Sequence, residues 1–220
     1  MSDTSDTSAR PLSHYPRPNV AVDTALLTLD PANPELLVLQ VRRADGPGWA
    51  LPGTLLHPGE RLADAVERSL GVKAGVRGLR PRQLHVYDDP DRDDRGWVLS
   101  VAHVEVVPIR RLESRQPGQT RLVPVASPGR LRYGHAEIIA RAAEDVRERY
   151  AQRPDPDHLL GRQFTLGELH RVHQAVAGRP LQRDRFRRLM KPLLRPTGHL
   201  VTGTGGRPAE LFRRESSSPR

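Results

Sequence analysis

Leu51-Pro-Gly-Thr-Leu-Leu-His-Pro-Gly-Glu60, followed after a short interval by Arg68-Ser-Leu-Gly-Val-Lys-Ala-Gly-Val76, is the most informative segment of the chain for its architecture. Pro52-Gly53 opens a loop, and Gly59-Glu60 enters a helix whose N-terminus favours the negative charge of Glu60. Leu62, Ala65, Val66 and Leu70 recur at helical spacing and fall on one face, so a helix is expected over residues 59–70. Outward from it, residues 20–29 and 36–42 read as apolar strands separated by the turn cluster Asp30-Pro-Ala-Asn-Pro34. Residues 82–87 and 97–107 read as further strands, joined by the charged loop 88–96, and a helix is expected from His135 to about Tyr150. Strands with a helix on each side make an α/β sandwich.

The quoted frame resembles the Nudix box, G-x5-E-x7-R-E-U-x-E-E-x-G-U with U aliphatic. Where the box reads R-E-U-x-E-E, this chain has Arg68-Ser-Leu-Gly-Val-Lys73. In the box, glutamates three and four residues apart share one helical face and hold magnesium against a diphosphate. Magnesium takes near-octahedral oxygen ligands, which Ser69, Val72 and Lys73 do not supply, and Lys73 brings a positive charge to the metal position. Glu60 and Glu67 remain, but Glu67 precedes Arg68 and would need a shift of register. No catalytic residue and no metal ligand is therefore assigned, and the fold is expected without its usual reaction.

The 220 residues allow one large or two small domains. With no cysteine there is neither a disulfide framework nor a thiolate metal site. No apolar run approaches membrane-spanning length, and the N-terminus lacks the basic start and apolar stretch of a signal peptide, so a cytoplasmic protein without a membrane partner is expected. Residues 1–18 read as a disordered tail. The charge is uneven: residues 1–150 carry 21 basic and 20 acidic side chains, whereas residues 151–220 carry 14 and 6, so nearly all of the net +9 lies in the last third. A basic domain attached to a neutral one points to an anionic partner, with solubility alone as the other reading.

Thr165-Leu-Gly-Glu168 is a capping box, with Phe164 and Leu169 at the positions of a hydrophobic staple. Leu166, Leu169, Val172 and Val176 then line one helical face until Gly178. A second helix is expected over residues 182–191, with Phe186, Leu189 and Met190, continued by Leu193, as its apolar face, and Pro192 as its stop. Two short helices joined by a tight turn, the second rich in arginine, form a helix-turn-helix pattern, and residues 197–212 read as a glycine-tipped hairpin, the wing of a winged helix. Arg183, Arg185, Arg187, Arg188, Lys191 and Arg207 are the candidate DNA contacts, a double-stranded operator being the expected partner. The duller alternative is a small helical domain with a solvated arginine face.

A degenerate Nudix domain followed by a winged helix resembles the Nudix-related transcriptional regulators of NAD metabolism, the NrtR family. The likeness covers most of residues 19–213 and is carried by Gln83-Leu84, residues 90–102, His135-Ala-Glu-Ile-Ile139, residues 164–169, Phe186-Arg-Arg188, Thr197-Gly198 and residues 206–212. It departs at Gln182, where the likeness favours an acidic helix start, and at Pro192, which shortens the recognition helix. The resemblance implies a Nudix-type α/β/α sandwich over residues 19–150, a bridging helix 135–150, a winged helix-turn-helix over 151–213 and a flexible tail 214–220. It further implies a homodimeric regulator that needs no cofactor and senses an ADP-ribose-like effector. Arg42, Arg43 and Arg68 are the candidate anion contacts, Glu60 borders the same pocket, and Trp49 is the stacking candidate. Against these stand simpler roles: Arg68 paired with Glu60 or Glu67, Trp49 in the core, and Arg42 and Arg43 on alternate faces so that at most one reaches the pocket. The rival functions are an active diphosphate hydrolase and a ligand-binding Nudix protein that does not touch DNA.

Overall fold

The computed structural model describes residues 11–30, 34–202 and 208–215. Its larger part is a seven-stranded mixed sheet built on β1 (Asn19–Leu29), which is buried on both faces along most of its length. β1 pairs antiparallel with β2 (Leu36–Arg42) and parallel with β6 (Val98–Val106). The order β3-β2-β1-β6-β5 places β3 (Trp49–Ala50) and β5 (Arg82–Tyr87) at the two ends, while β4 (Gly53–Leu55) adds to β1 and β7 (Thr120–Pro124) to β2.

The period of two in β1 divides the core. Val22 and Leu26 pack with Leu39 and Val41 under α1 (Leu62–Ser69), whose Ala65 and Val66 are buried there. Ala25, Leu27 and Leu29 face the other way, against Ile138, Ile139, Ala142 and Val146 of α2 (His135–Gln152). The expected sandwich is therefore present. α1 does not end at Leu70: a π-helical turn, Leu70–Ala74, continues it to Gly75, whose φ of 73° ends the helix. A side chain at Gly75 would also meet the Ser114 carbonyl at 2.8 Å.

The C-terminal part contains β8 (Phe164–Thr165), α3 (Leu166–Ala177), α4 (Arg183–Met190), β9 (Leu194–Val201) and β10 (Ala209–Arg214), with sheet order β8-β10-β9. The Thr165 hydroxyl accepts from the Glu168 amide while the Glu168 carboxylate accepts from the Thr165 amide, and Gly178 ends α3 at φ 65°. Phe164 and Leu169 meet in a small core with Phe186, Met190, Leu194 and Phe212. Ala175 and Val176 of α3 belong to the α2 side of the sandwich core, so the two domains share apolar packing rather than a solvated joint.

α2 ends at Gln152, in keeping with the expected end at about Tyr150. Two expectations need correcting. Residues 11–18 are placed and include the 3-10 turn Leu12–His14, whereas residues 1–10 lie outside the described residues. Arg214, assigned to a tail, is paired in β10 and reaches the buried Asp155 at 3.0 Å; residues 216–220 lie outside the described residues. Among the described residues, no helix is long and apolar enough to cross a membrane.

Candidate functional site

A cavity of about 320 Å³ opens where β1, β4, the π turn, the loop 88–96 and the start of α2 meet. Its floor is a buried carboxylate. Asp23 lies on β1; its Oδ2 accepts from Ser100 Oγ at 2.6 Å, its Oδ1 lies 3.2 Å from His135 Nε2, and Arg92 Nη2 is 3.9 Å away. The Leu51 amide donates to His135 Nδ1 at 3.0 Å, so Nδ1 is the acceptor and the Nε2 proton faces Asp23. Burial opposes ionisation of Asp23, but His135, Ser100 and Arg92 outweigh it and hold the carboxyl below its usual range. Gly53 is the only residue that fits above this group: a Cβ there would lie 2.0 Å from Asp23 Oδ1.

The walls are cationic. Arg42, Arg43, Lys73, Arg92 and Arg95 all line the cavity. Arg43 is paired with Asp45 at 3.1 Å and Arg95 with Asp93 at 2.7 Å, and Arg92 donates to the Tyr133 carbonyl at 2.7 Å. Those pairings hold the Asp45 carboxyl down to about 2, chiefly through the Arg43 hydrogen bond, and lower that of Asp93 through Arg95. The Tyr133 ring has the guanidinium groups of Arg95 at 4.7 Å and of Arg43 and Arg132 at 5.7 Å. Tyr133 itself sits at φ 58°, a conformation that costs a non-glycine residue on the order of 1 kcal/mol or more and that recurs where function holds it.

The box positions do not fit magnesium. Ser69 is buried with its hydroxyl unpaired among the described residues, Val72 is exposed, and Lys73 Nζ donates to the Gly53 carbonyl at 2.5 Å at the cavity wall. Glu60 is committed to Arg68, which donates to Oε1 at 2.8 Å and to Oε2 at 2.7 Å. That pairing, reinforced by the His57 amide, lowers the Glu60 carboxyl to about 2. Residues that would have to bring oxygens to a cation bring an ammonium, an isopropyl group and a closed ion pair.

The winged helix presents a second cationic surface. Arg183, Arg185, Arg187 and Arg188 are all exposed along α4. Gln182 caps that helix by accepting from the Arg185 amide, so the position lacking an acid still supplies the acceptor a helix start needs. Pro192 closes α4 as expected, through a 3-10 turn, Lys191–Leu193.

The sequence of residues 19–142 matches the NUDIX domain, and that of residues 156–214 matches the NrtR DNA-binding winged helix domain. The chain belongs to the Nudix family. Over 212 residues, this Nudix protein is 26% identical to the ADPR responsive transcriptional repressor NtrR of Acinetobacter baylyi, covering 91% of this chain and 84% of the relative. The structure of Shewanella oneidensis NrtR complexed with a 27mer DNA superposes with a TM-score of 0.71 at 29% identity, covering 89% of this chain and 93% of that one. The Nudix domain alone is 32% identical over 93 residues to an ADP-ribose pyrophosphatase of Methanocaldococcus jannaschii, covering 41% of this chain and 52% of that enzyme.

Within the Nudix domain the candidate ligand residues separate. Arg42 and Arg43 both line the cavity, because β2 ends at Arg42 and releases Arg43 from the alternation that would have turned it away. Trp49 lies outside the cavity wall, with the guanidinium groups of Arg42 at 5.2 Å and Arg121 at 4.5 Å from its ring. Glu60 and Arg68 also lie outside the lining and satisfy each other. In the winged helix, Lys191 is half-buried with its ammonium 5.8 Å from the centre of the Phe212 ring, and Arg207 lies outside the described residues. Leu189 and Leu193, expected on the apolar face, are 55% and 39% exposed; the small core is filled by Phe186, Met190 and Leu194. Sequence reasoning missed Asp23, Lys73 as a cavity residue, Arg92, Asp93, Arg95, Tyr133 and His135. One signal was present: an aspartate that is the one charged residue of the strand run 20–29 is a buried charge that needs partners.

Proposed function

We propose that this chain is a transcriptional repressor whose Nudix domain binds ADP-ribose and whose winged helix binds operator DNA, with ligand binding weakening the hold on DNA. One observation carries the reading. The first residue of α2, His135, is bonded to Asp23 and to the Leu51 amide in the cavity, and the same unbroken helix packs on α3 of the winged helix. A helix of 18 residues spans about 27 Å, so a shift at the cavity end is carried rigidly to the DNA-binding domain.

The chemistry of the two surfaces supports the assignment. A cavity of this size with five basic side chains suits an anionic ligand, and the Tyr133 ring offers a face to a base or ribose. The exposed arginines of α4 suit the major groove, and a homodimer would set two such helices about one helical turn of DNA apart. The ADP-ribose responsiveness of the Acinetobacter relative points to the same effector. Such a protein works in the cytoplasm, and no hydrolysis is assigned to the Nudix domain because the box positions do not fit the metal.

The test is fluorescence anisotropy of a labelled duplex carrying the region upstream of the protein's own gene. Specific binding on the order of 10⁻⁸ M or tighter is expected, relieved by ADP-ribose but not by AMP or ribose 5-phosphate at equal concentration. Binding that ignores ADP-ribose would remove the effector, and magnesium-dependent release of AMP at enzymatic rates would favour a hydrolase.

A further inference from the structure

Lys73 stands apart from the other cavity cations. Among the described residues, Arg43, Arg92 and Arg95 each face a carboxylate at ion-pair distance, whereas Lys73 feels Asp23 and Asp45 only from farther off and forms an ion pair with neither. Arg42 also lacks a carboxylate partner, but its guanidinium bonds to the Gly118 carbonyl and lies over Trp49. Among the described residues the Lys73 ammonium makes one hydrogen bond, to the Gly53 carbonyl, and an ammonium has three donors. Two N–H groups therefore remain inside a cavity already bounded by Arg42 and Arg92.

The backbone explains why the amine reaches this place. The π-helical turn Leu70–Ala74 adds a residue per turn to the end of α1. Val72 is 67% exposed, and Lys73, the next residue, is also exposed but brings its amine to the Gly53 carbonyl of β4. Its amine stops at the carbonyl of Gly53, the residue that also covers Asp23.

We propose that the Lys73 ammonium takes the place of the divalent cation, so that this cavity binds the diphosphate of its ligand without metal. A lysine is a compact point charge that can serve two phosphate oxygens at once, as a bridging cation does, but it has no vacant coordination position at which to hold a water. The substitution at position 73 thus keeps diphosphate recognition and removes the centre that would activate a nucleophile. The identity of the ligand rests on the effector assignment above, and the diphosphate on the cavity alone.

Calorimetric titration of the full chain with ADP-ribose, in EDTA and again in excess magnesium, tests it, with inorganic pyrophosphate as a probe that carries the diphosphate alone. Equal ADP-ribose affinity in both buffers is expected, and Lys73→Met should lose roughly tenfold to a hundredfold, the range of one charge-assisted hydrogen bond. A requirement for magnesium in the wild type, or an unchanged affinity in Lys73→Met, overturns the role of Lys73 and leaves the effector assignment standing. If pyrophosphate binds without metal and loses affinity in Lys73→Met while ADP-ribose does not bind at all, the diphosphate site stands and the effector assignment falls. Absence of binding by both probes overturns both. The comparison between buffers uses only the wild type, so it decides whether the cavity needs a metal even if Lys73→Met does not fold.

Discussion

Asp23 and His135 meet at 3.2 Å in the floor of the cavity, joining the central strand of the sheet to the first residue of the helix that carries the DNA-binding domain. Neither residue is free to turn. Ser100 and Arg92 hold the carboxylate, and the Leu51 amide fixes the far side of the imidazole. A ligand that draws Arg92 toward a phosphate changes the balance on Asp23, and with it the anchor of α2.

Replacing Asp23 by alanine leaves the His135 Nε2 proton and the Ser100 hydroxyl buried without their acceptor. Loss of one partner from such a buried pair typically removes about 3 kcal/mol of stability, so the urea midpoint should fall substantially. A midpoint equal to that of the wild type would show that the contact does not anchor α2.

Gly53→Ala should also be harmful although it removes nothing. Its added methyl group would lie 2.0 Å from Asp23 Oδ1, which is held by buried partners. Forcing the carboxylate aside should cost about 1–3 kcal/mol, and ADP-ribose affinity should fall with it. Calorimetry and chemical denaturation on the same sample check both.

Arg187→Ala with Arg188→Ala removes two exposed guanidinium groups from α4 and should leave stability within about 0.5 kcal/mol per site. Operator affinity should fall steeply, and the slope of log affinity against log salt should become shallower by about 1 for each arginine that had been paired with a phosphate. Unchanged operator affinity in this variant would remove α4 from the DNA interface.

His173 predicts a pH dependence. It is buried between α2 and α3, its Nε2 accepts from the Asp155 amide at 3.3 Å, and burial lowers its value from 6.5 to about 4. The folded state therefore holds its proton less tightly than the unfolded chain. The stability this contributes is fully present above 6.5 and is lost as the pH falls from there toward 4. Between neutrality and about pH 5 the loss should approach 2 kcal/mol. His173→Gln keeps an acceptor but cannot titrate, so the difference between its pH–stability curve and that of the wild type isolates this group; parallel curves would contradict the assignment.

The parts of the fold legible in the sequence are those with local causes. β2 is recovered to the residue because its five apolar side chains, interrupted only by Gln40, end at Arg42, and the start of α3 because its capping box is a four-residue motif. β3, β4 and β7 were not legible: they run from two to five residues and owe their existence to the strands they pair with. The cavity was legible only at Arg42 and Arg43. Asp23 and Ser100 are 77 positions apart, and Leu51 and His135 are 84 apart, so no spacing pattern could have joined them. Arg68 and Glu60, closer in sequence, satisfy each other instead of turning to a ligand. The expected apolar face of α4 is too wide because helical period fixes a side, whereas the volume of the small core decides how many residues it admits.

Communication between the cavity and the DNA surface through α2 has a thermodynamic signature, the reciprocity of the two binding events. ADP-ribose affinity is to be measured on the free protein and on the protein saturated with operator, beside operator affinity with and without saturating ADP-ribose. Coupled sites require the two ratios to be equal and to differ from one, with ADP-ribose binding the operator complex more weakly, by about fivefold or more. ADP-ribose affinity that is the same on the free protein and on the operator complex would show that α2 couples nothing.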